Sequence, residues 1–163
     1  MGEEYSADMG RYVVAHNPAV LIALGLGSCI GCAIWDKEKH IGGLSHVMLP
    51  ESRECCAGNE GLNMNKFADK AIPSMVDDML HRGCHIDKMV AKIAGGAHMF
   101  KGFMNSETLD IGKRNDVAVR EELKKLGIPL IASDTSGCVG RTIRFDTVNG
   151  KLAIKTKDDV NEI

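Results

Sequence analysis

The chain has 163 residues, with 20 basic and 22 acidic side chains and therefore a formal net charge of −2. That balance lacks the broad positive field of a nucleic-acid binder, and no apolar run approaches the ~20 residues that a membrane span needs. With 44% hydrophobic and 26% charged residues, the composition is that of a globule long enough for one domain over residues 1–163.

In chain order, residues 11–16 alternate weakly between apolar and polar and stop at Asn17-Pro18, a turn signal. Residues 20–24 form a short apolar run broken by Gly25-Leu26-Gly27-Ser28. Residues 29–35 read as a strand, 36–40 as a charged turn, and 41–49 as a third strand ended by Pro50. Residues 51–63 show no periodicity and make the longest irregular stretch. A helix is predicted over 64–81, where Phe67, Ala71, Met75 and Met79 recur every fourth residue; Pro73 should kink it or mark a restart. A strand over 89–94 leads into Gly95-Gly96. A second helix over 113–126 puts Val119, Leu123 and Leu126 on one face, with Asp116/Arg120 and Glu121/Lys125 as outward i,i+4 pairs. Strands follow over 128–133, 141–147 and 151–157, with Asn149-Gly150 as a hairpin turn between the last two. The expectation is an α+β domain with many strands and two main helices.

Six cysteines stand at 29, 32, 55, 56, 84 and 138. A core of this size needs no disulfides and no export signal opens the chain, so a reduced, cytoplasmic protein is expected. A zinc site built from Cys29, Cys32, Cys55 and Cys56 fits poorly. Cys55 and Cys56 are adjacent, and a spacing of three along a strand sends Cys29 and Cys32 to opposite faces. No metal or cofactor is expected. Cys32, Cys84 and Cys138 read as small, semi-buried residues.

Gly27-Ser28-Cys29-Ile30-Gly31 has the form glycine, any residue, nucleophile, any residue, glycine. An α/β-hydrolase elbow is excluded because the following run is strand-like, yet a crowded turn can still expose a thiol. A dinucleotide fingerprint fails at Ile30, where a third glycine is required. A nucleophilic thiol needs a base. If residues 36–39 form the hairpin loop, Trp35 pairs with His40 and Cys29 falls opposite His46, about 4.5–5.5 Å away between Cβ atoms. A register one residue longer turns His46 to the other face. At this point His46 is either that base or a hydrogen-bonded core histidine. Gly27 and Ser28 are either backbone donors to an oxyanion or simply a tight turn.

At these residues the sequence resembles the CheD family of chemoreceptor glutamine deamidases. The likeness runs through Leu24-Gly-Leu-Gly-Ser-Cys29, Leu44-Ser-His-Val-Met-Leu-Pro50, Lys66-Phe-Ala-Asp69 and Ala91-Lys-Ile-Ala-Gly-Gly-Ala97 with Met99-Phe100. It continues in Ile111-Gly-Lys-Arg-Asn115, Asp134-Thr135 and Gly140-Arg-Thr142. The resemblance implies layered mixed sheets flanked by helices, as in a toxin-deamidase class. It implies a catalytic Cys29 and His46, and hydrolysis of glutamine side chains on the cytoplasmic helices of chemoreceptors. It also implies the CheC phosphatase as a regulatory partner, with Phe100 as a candidate anchor. In one alternative the chain is mainly such a binding partner with weak deamidase activity. The reason is a departure: where the family carries a threonine two residues before Gly-Leu-Gly, this chain has Ala23.

Overall fold

A computed structural model describes residues 2–54, 63–99 and 110–163. Ten strands occur among them: β1 (Glu3–Ser6), β2 (Tyr12–His16), β3 (Ala19–Leu26), β4 (Ile30–Asp36), β5 (Ile41–Val47), β6 (Met89–Gly95), β7 (Leu130–Thr135), β8 (Arg141–Asp146), β9 (Leu152–Lys155) and β10 (Val160–Glu162). Two helices of more than one turn accompany them, α1 (Ala68–His81) and α2 (Ile111–Leu126). The strands form two five-stranded sheets, in the orders β1-β3-β8-β9-β10 and β2-β5-β4-β6-β7. Both are mixed, because β1 runs parallel to β3 and β6 parallel to β7 while the other pairs are antiparallel. The architecture is α+β, as expected.

Pleat alternation explains the layering, since neighbouring residues of a strand face opposite sides. In β4, Ile30, Cys32 and Ile34 pack with Ile72, Met75, Val119 and Leu123 of the helices. The intervening Ala33 packs between the sheets with Leu21, Ile143 and Phe145. The second sheet is thus covered on both faces, and each of its large aliphatic side chains contributes about 1.5–3 kcal/mol by full burial. Gly31 permits the sheets to close: a Cβ there would lie 2.3 Å from Cδ1 of Ile143. No helix among the described residues is long and apolar enough to cross a membrane.

Several boundaries differ from the sequence expectation. The first helix begins at Ala68, since Met64–Lys66 forms a separate 3-10 turn capped by the Asn63 side chain and Phe67 is extended. It then runs unbroken through Pro73, without the restart that proline suggested. The second helix starts earlier than 113, because the Asp110 carboxylate accepts the Lys113 N–H and supplies an N-cap. Asp116 and Arg120 pair at 2.8 Å as expected, but Lys125 pairs with Glu122 rather than Glu121. β1 and β10 were not expected. They are the edges of the first sheet and exposed at every residue, so they carry no apolar alternation to read. Cys32 and Cys84 are buried, whereas Cys138 is exposed and not semi-buried.

Candidate active site

Cys29 follows a distorted stretch of backbone. Between Ala23 and Leu26 the pairing of β3 with β8 slips by a residue, so Leu24 and Gly25 bulge outward and Leu26 returns to the core. The chain then leaves the first sheet, crosses through Gly27, Ser28 and Cys29, and enters the second as β4. Its carbonyls are all drawn away in this crossing. Gly27 O accepts from the Ala97 N–H at 2.8 Å, Cys29 O from the Gly96 N–H at 2.8 Å, and Ser28 O from the Asn115 side chain at 3.0 Å. The N–H groups of Ser28 and Cys29, in contrast, donate to no other residue among those described. The Met99 side chain covers Gly27, whose Cβ would sit 3.3 Å from Cγ of Met99.

His46 lies in β5, and the β4–β5 register corrects the expected one. Asp36 pairs with Ile41, Trp35 with Gly42 and Gly31 with His46, so the loop is Lys37 to His40. The cause is Asp36, whose carboxylate accepts the Glu38 and Lys39 N–H groups at 2.9 Å each and keeps the residue at the end of the strand. The shift from the expected pairing is two residues, which preserves the face. Cys29 is therefore not opposite His46 but its diagonal neighbour on the same side, a relation worth roughly 7–8 Å in a regular ladder and less between Cβ atoms. That side is the layer between the sheets, where Cys29 packs beside the core and His46 is 2% exposed. Cys32, on the opposite face, packs against the helices.

The segment before β2 wraps the histidine. The His46 N–H donates to Arg11 O at 2.9 Å, and the Gly10 N–H donates to His46 O at 3.0 Å. Nδ1 of the ring lies 3.1 Å from the Ala7 carbonyl. A carbonyl only accepts, so Nδ1 carries the proton, and the lone pair of the neutral ring is on Nε2. Nε2 is buried with no hydrogen-bond partner among the described residues. Ala7 is itself held by its N–H on Ile22 O at 2.7 Å. Ala23 is fully buried in the same layer and offers no hydroxyl. A backbone carbonyl thus orients the imidazole here; Ser45 is the adjacent strand residue and faces the other way.

Burial dominates the electrostatics. It pushes the Cys29 thiol above its ordinary pKa, against a smaller opposite pull from the residue's own N–H. Burial also holds His46 below its ordinary 6.5, opposed by the Ala7 hydrogen bond and the Asp8 charge. Both shifts favour the uncharged forms, a neutral thiol and a neutral imidazole whose Nε2 lone pair has no partner among the described residues.

Two residues that sequence reasoning passed over hold this site. Asn115 in α2 is fully buried and spans from Ser28 O to Met48 O. Arg141, at the start of β8, donates to Gly95 O at 2.6 Å, Asp134 O at 3.0 Å and Ser136 O. Both stand in stretches that carried the family likeness, yet nothing local marks a polar side chain as buried. Ala7 has no sequence signal at all. Phe100, Cys55 and Cys56 lie outside the described residues.

The family model for CheD, described as chemotactic sensory transduction, matches residues 48–156. A protein of Clostridium botulinum strain Hall, named probable chemoreceptor glutamine deamidase CheD, is 50% identical over 143 residues, covering 88% of this chain and 86% of its own. One of the same name from Caldanaerobacter subterraneus subsp. tengcongensis is 43% identical over the same shares. Among solved structures, the Bacillus licheniformis hypothetical protein YfiH matches with a TM-score of 0.48 at 17% identity, over 78% of this chain and 51% of that one.

Proposed function

The chain belongs to the CheD family, and from that premise we propose that it is a protein-glutamine glutaminase acting on glutamine side chains of chemoreceptor cytoplasmic helices, with Cys29 as nucleophile and His46 as base. The observation that carries the residue assignment is the unpartnered Nε2 of His46, its tautomer set by Ala7, on the face that Cys29 also presents.

In this reading a glutamine side chain enters beside Cys29. Nε2 of His46 takes the thiol proton as sulfur bonds to the amide carbon. The amide oxygen becomes an oxyanion in the tetrahedral intermediate, and the N–H groups of Ser28 and Cys29, which donate to no other described residue, are the donors this reading assigns to it. Collapse expels ammonia with the proton from the imidazolium, leaving a thioester. His46 then deprotonates a water, which attacks the thioester carbon, and the thiol leaves with its proton restored. The product is glutamate and ammonia, so each turnover adds one negative charge to the receptor. A thiol that stays protonated until substrate arrives suits a cytoplasmic enzyme, since thiolate is the form that oxidants attack.

The test is a receptor cytoplasmic fragment incubated with the protein and mapped by mass spectrometry. Amide-to-acid conversion at particular glutamines is expected for the wild type and lost in Cys29→Ala. Conversion that persists in Cys29→Ala excludes this nucleophile. The family likeness also supports CheC as a partner, and Phe100→Ala should weaken CheC association while leaving the Cys29 thiol reactive.

A further inference from the structure

Asn115 is an amide on the buried face of α2, beside Gly112, Ala118, Val119, Leu123 and the edge residue Glu122, and it is completely buried. One nitrogen, Nδ2, donates to both Ser28 O, at 3.0 Å, and Met48 O, at 2.9 Å. Its Oδ1 is buried without a partner among the described residues. Leaving an acceptor unpaired in a core is costly, so as a mere space-filler an apolar residue would serve α2 better.

The two carbonyls it joins are not arbitrary. Met48 follows His46 by two residues, just past the end of β5. Ser28 O belongs to the peptide unit that also contains the Cys29 N–H. In a planar trans peptide the C=O and N–H point in opposite directions, so anchoring Ser28 O towards α2 aims the Cys29 N–H away from the helix layer. It then points to the inter-sheet side, where the thiol packs.

We propose that Asn115 is a positioning residue for the reaction: through Ser28 it aims the Cys29 N–H at the reacting centre, and through Met48 it ties the strand bearing His46 to the same point. This rests on the reading of Cys29 as nucleophile. One side-chain amide thereby sets the distance between the two halves of the site, which reach it from separate segments of the chain. It touches neither substrate nor thiol, and acts only through the two backbone segments.

Asn115→Asp keeps the shape but turns a donor into an acceptor facing two carbonyls. Asn115→Ala removes the donor without adding charge, and keeps the test decisive if the aspartate variant does not fold. Two readouts apply to the folded protein. The first is the pH dependence of Cys29 alkylation by iodoacetamide, resolved from the other cysteines by peptide mass. The second is kcat and KM on the receptor fragment. The expected result is an alkylation midpoint moved to higher pH, because the N–H that favours thiolate is no longer aimed at sulfur, with kcat at least tenfold lower and KM unchanged. A folded variant with both the alkylation profile and kcat of the wild type overturns the proposal, whatever its loss of stability. A shifted alkylation profile in a protein whose wild type deamidates nothing would leave the positioning intact and remove the proposed activity instead.

Discussion

Gly95 ends β6, paired to Ile30 on one side and Thr135 on the other, with φ of +116°. In Gly95→Ala the new Cβ would sit 2.2 Å from the Cys29 carbonyl oxygen, 3.2 Å from its carbon and 3.3 Å from Cα of Ile30. These are backbone atoms, so no side chain can swing aside. Restoring normal contact needs a displacement of roughly 1 Å in a close-packed interior. That movement breaks the 2.8 Å bond from the Gly96 N–H to Cys29 O and disturbs the Arg141 bond to Gly95 O. Strain at positive φ costs about 1–3 kcal/mol, overpacking a similar amount, and the lost hydrogen bond about 1 kcal/mol. The sum is about 5 kcal/mol, which leaves a domain of about 10 kcal/mol stability folded but weakened. Gly25→Ala is the control: its φ is +62°, but nothing lies within 4 Å of the new Cβ, so only the left-handed penalty of about 1–2 kcal/mol applies. Urea unfolding of the two variants separates clash from strain. The deamidation rate should fall about 100-fold in Gly95→Ala, as an ångström of misplacement at a nucleophile does, and by far less in Gly25→Ala. Equal stability of the two variants, with an unchanged Cys29 alkylation rate, would refute the contact between β6 and the turn that carries Cys29.

Because burial lowers the folded-state pKa of His46 below its unfolded value of 6.5, the unfolded chain binds the proton more readily. The stability this group confers is complete above that pH and falls as pH drops below it through the folded value. His46→Gln should flatten the change in urea midpoint between about pH 7.5 and pH 5; a dependence as steep as the wild type's would place the titrating group elsewhere. The acid limb of kcat/KM should likewise lie below 6.5, while Cys29 alkylation should rise only above the ordinary thiol range, so a thiolate formed at neutral pH would contradict the neutral resting pair. Arg141→Met strips the buried Gly95 carbonyl and two part-buried ones of a charged donor and should cost about 2–4 kcal/mol in urea unfolding. A loss below 1 kcal/mol would mean that water replaces the guanidinium.

Gly-Ser-Cys at a break between apolar runs brought Cys29 forward and a neighbouring strand offered His46 as either its base or a core histidine, and only the family resemblance chose between those two readings. Parity kept the two on one side: a two-residue error in register leaves a side chain on its face, so the pairing survived the displacement of the hairpin loop by Asp36. The helices, the Asn149-Gly150 turn and the buried strands were legible for a related reason, since each carries its apolar period or its turn chemistry in consecutive residues. Sequence alone also determined the family, through ordered short motifs spread along the chain.

What tertiary structure alone decided is the support of the pair. Ala7, Asn115 and Arg141 meet the site across |i−j| separations of 39, 87 and 46 residues respectively. No local pattern encodes such contacts, because a buried polar side chain has the same sequence appearance as an exposed one. The fully exposed edge strands escaped reading in the same way, since pairing to a neighbour asks nothing of their side chains. Ala23 shows the division most directly. Sequence revealed that a hydroxyl is missing, and only the packed sheets revealed that the Ala7 carbonyl already occupies the imidazole nitrogen that needs orienting.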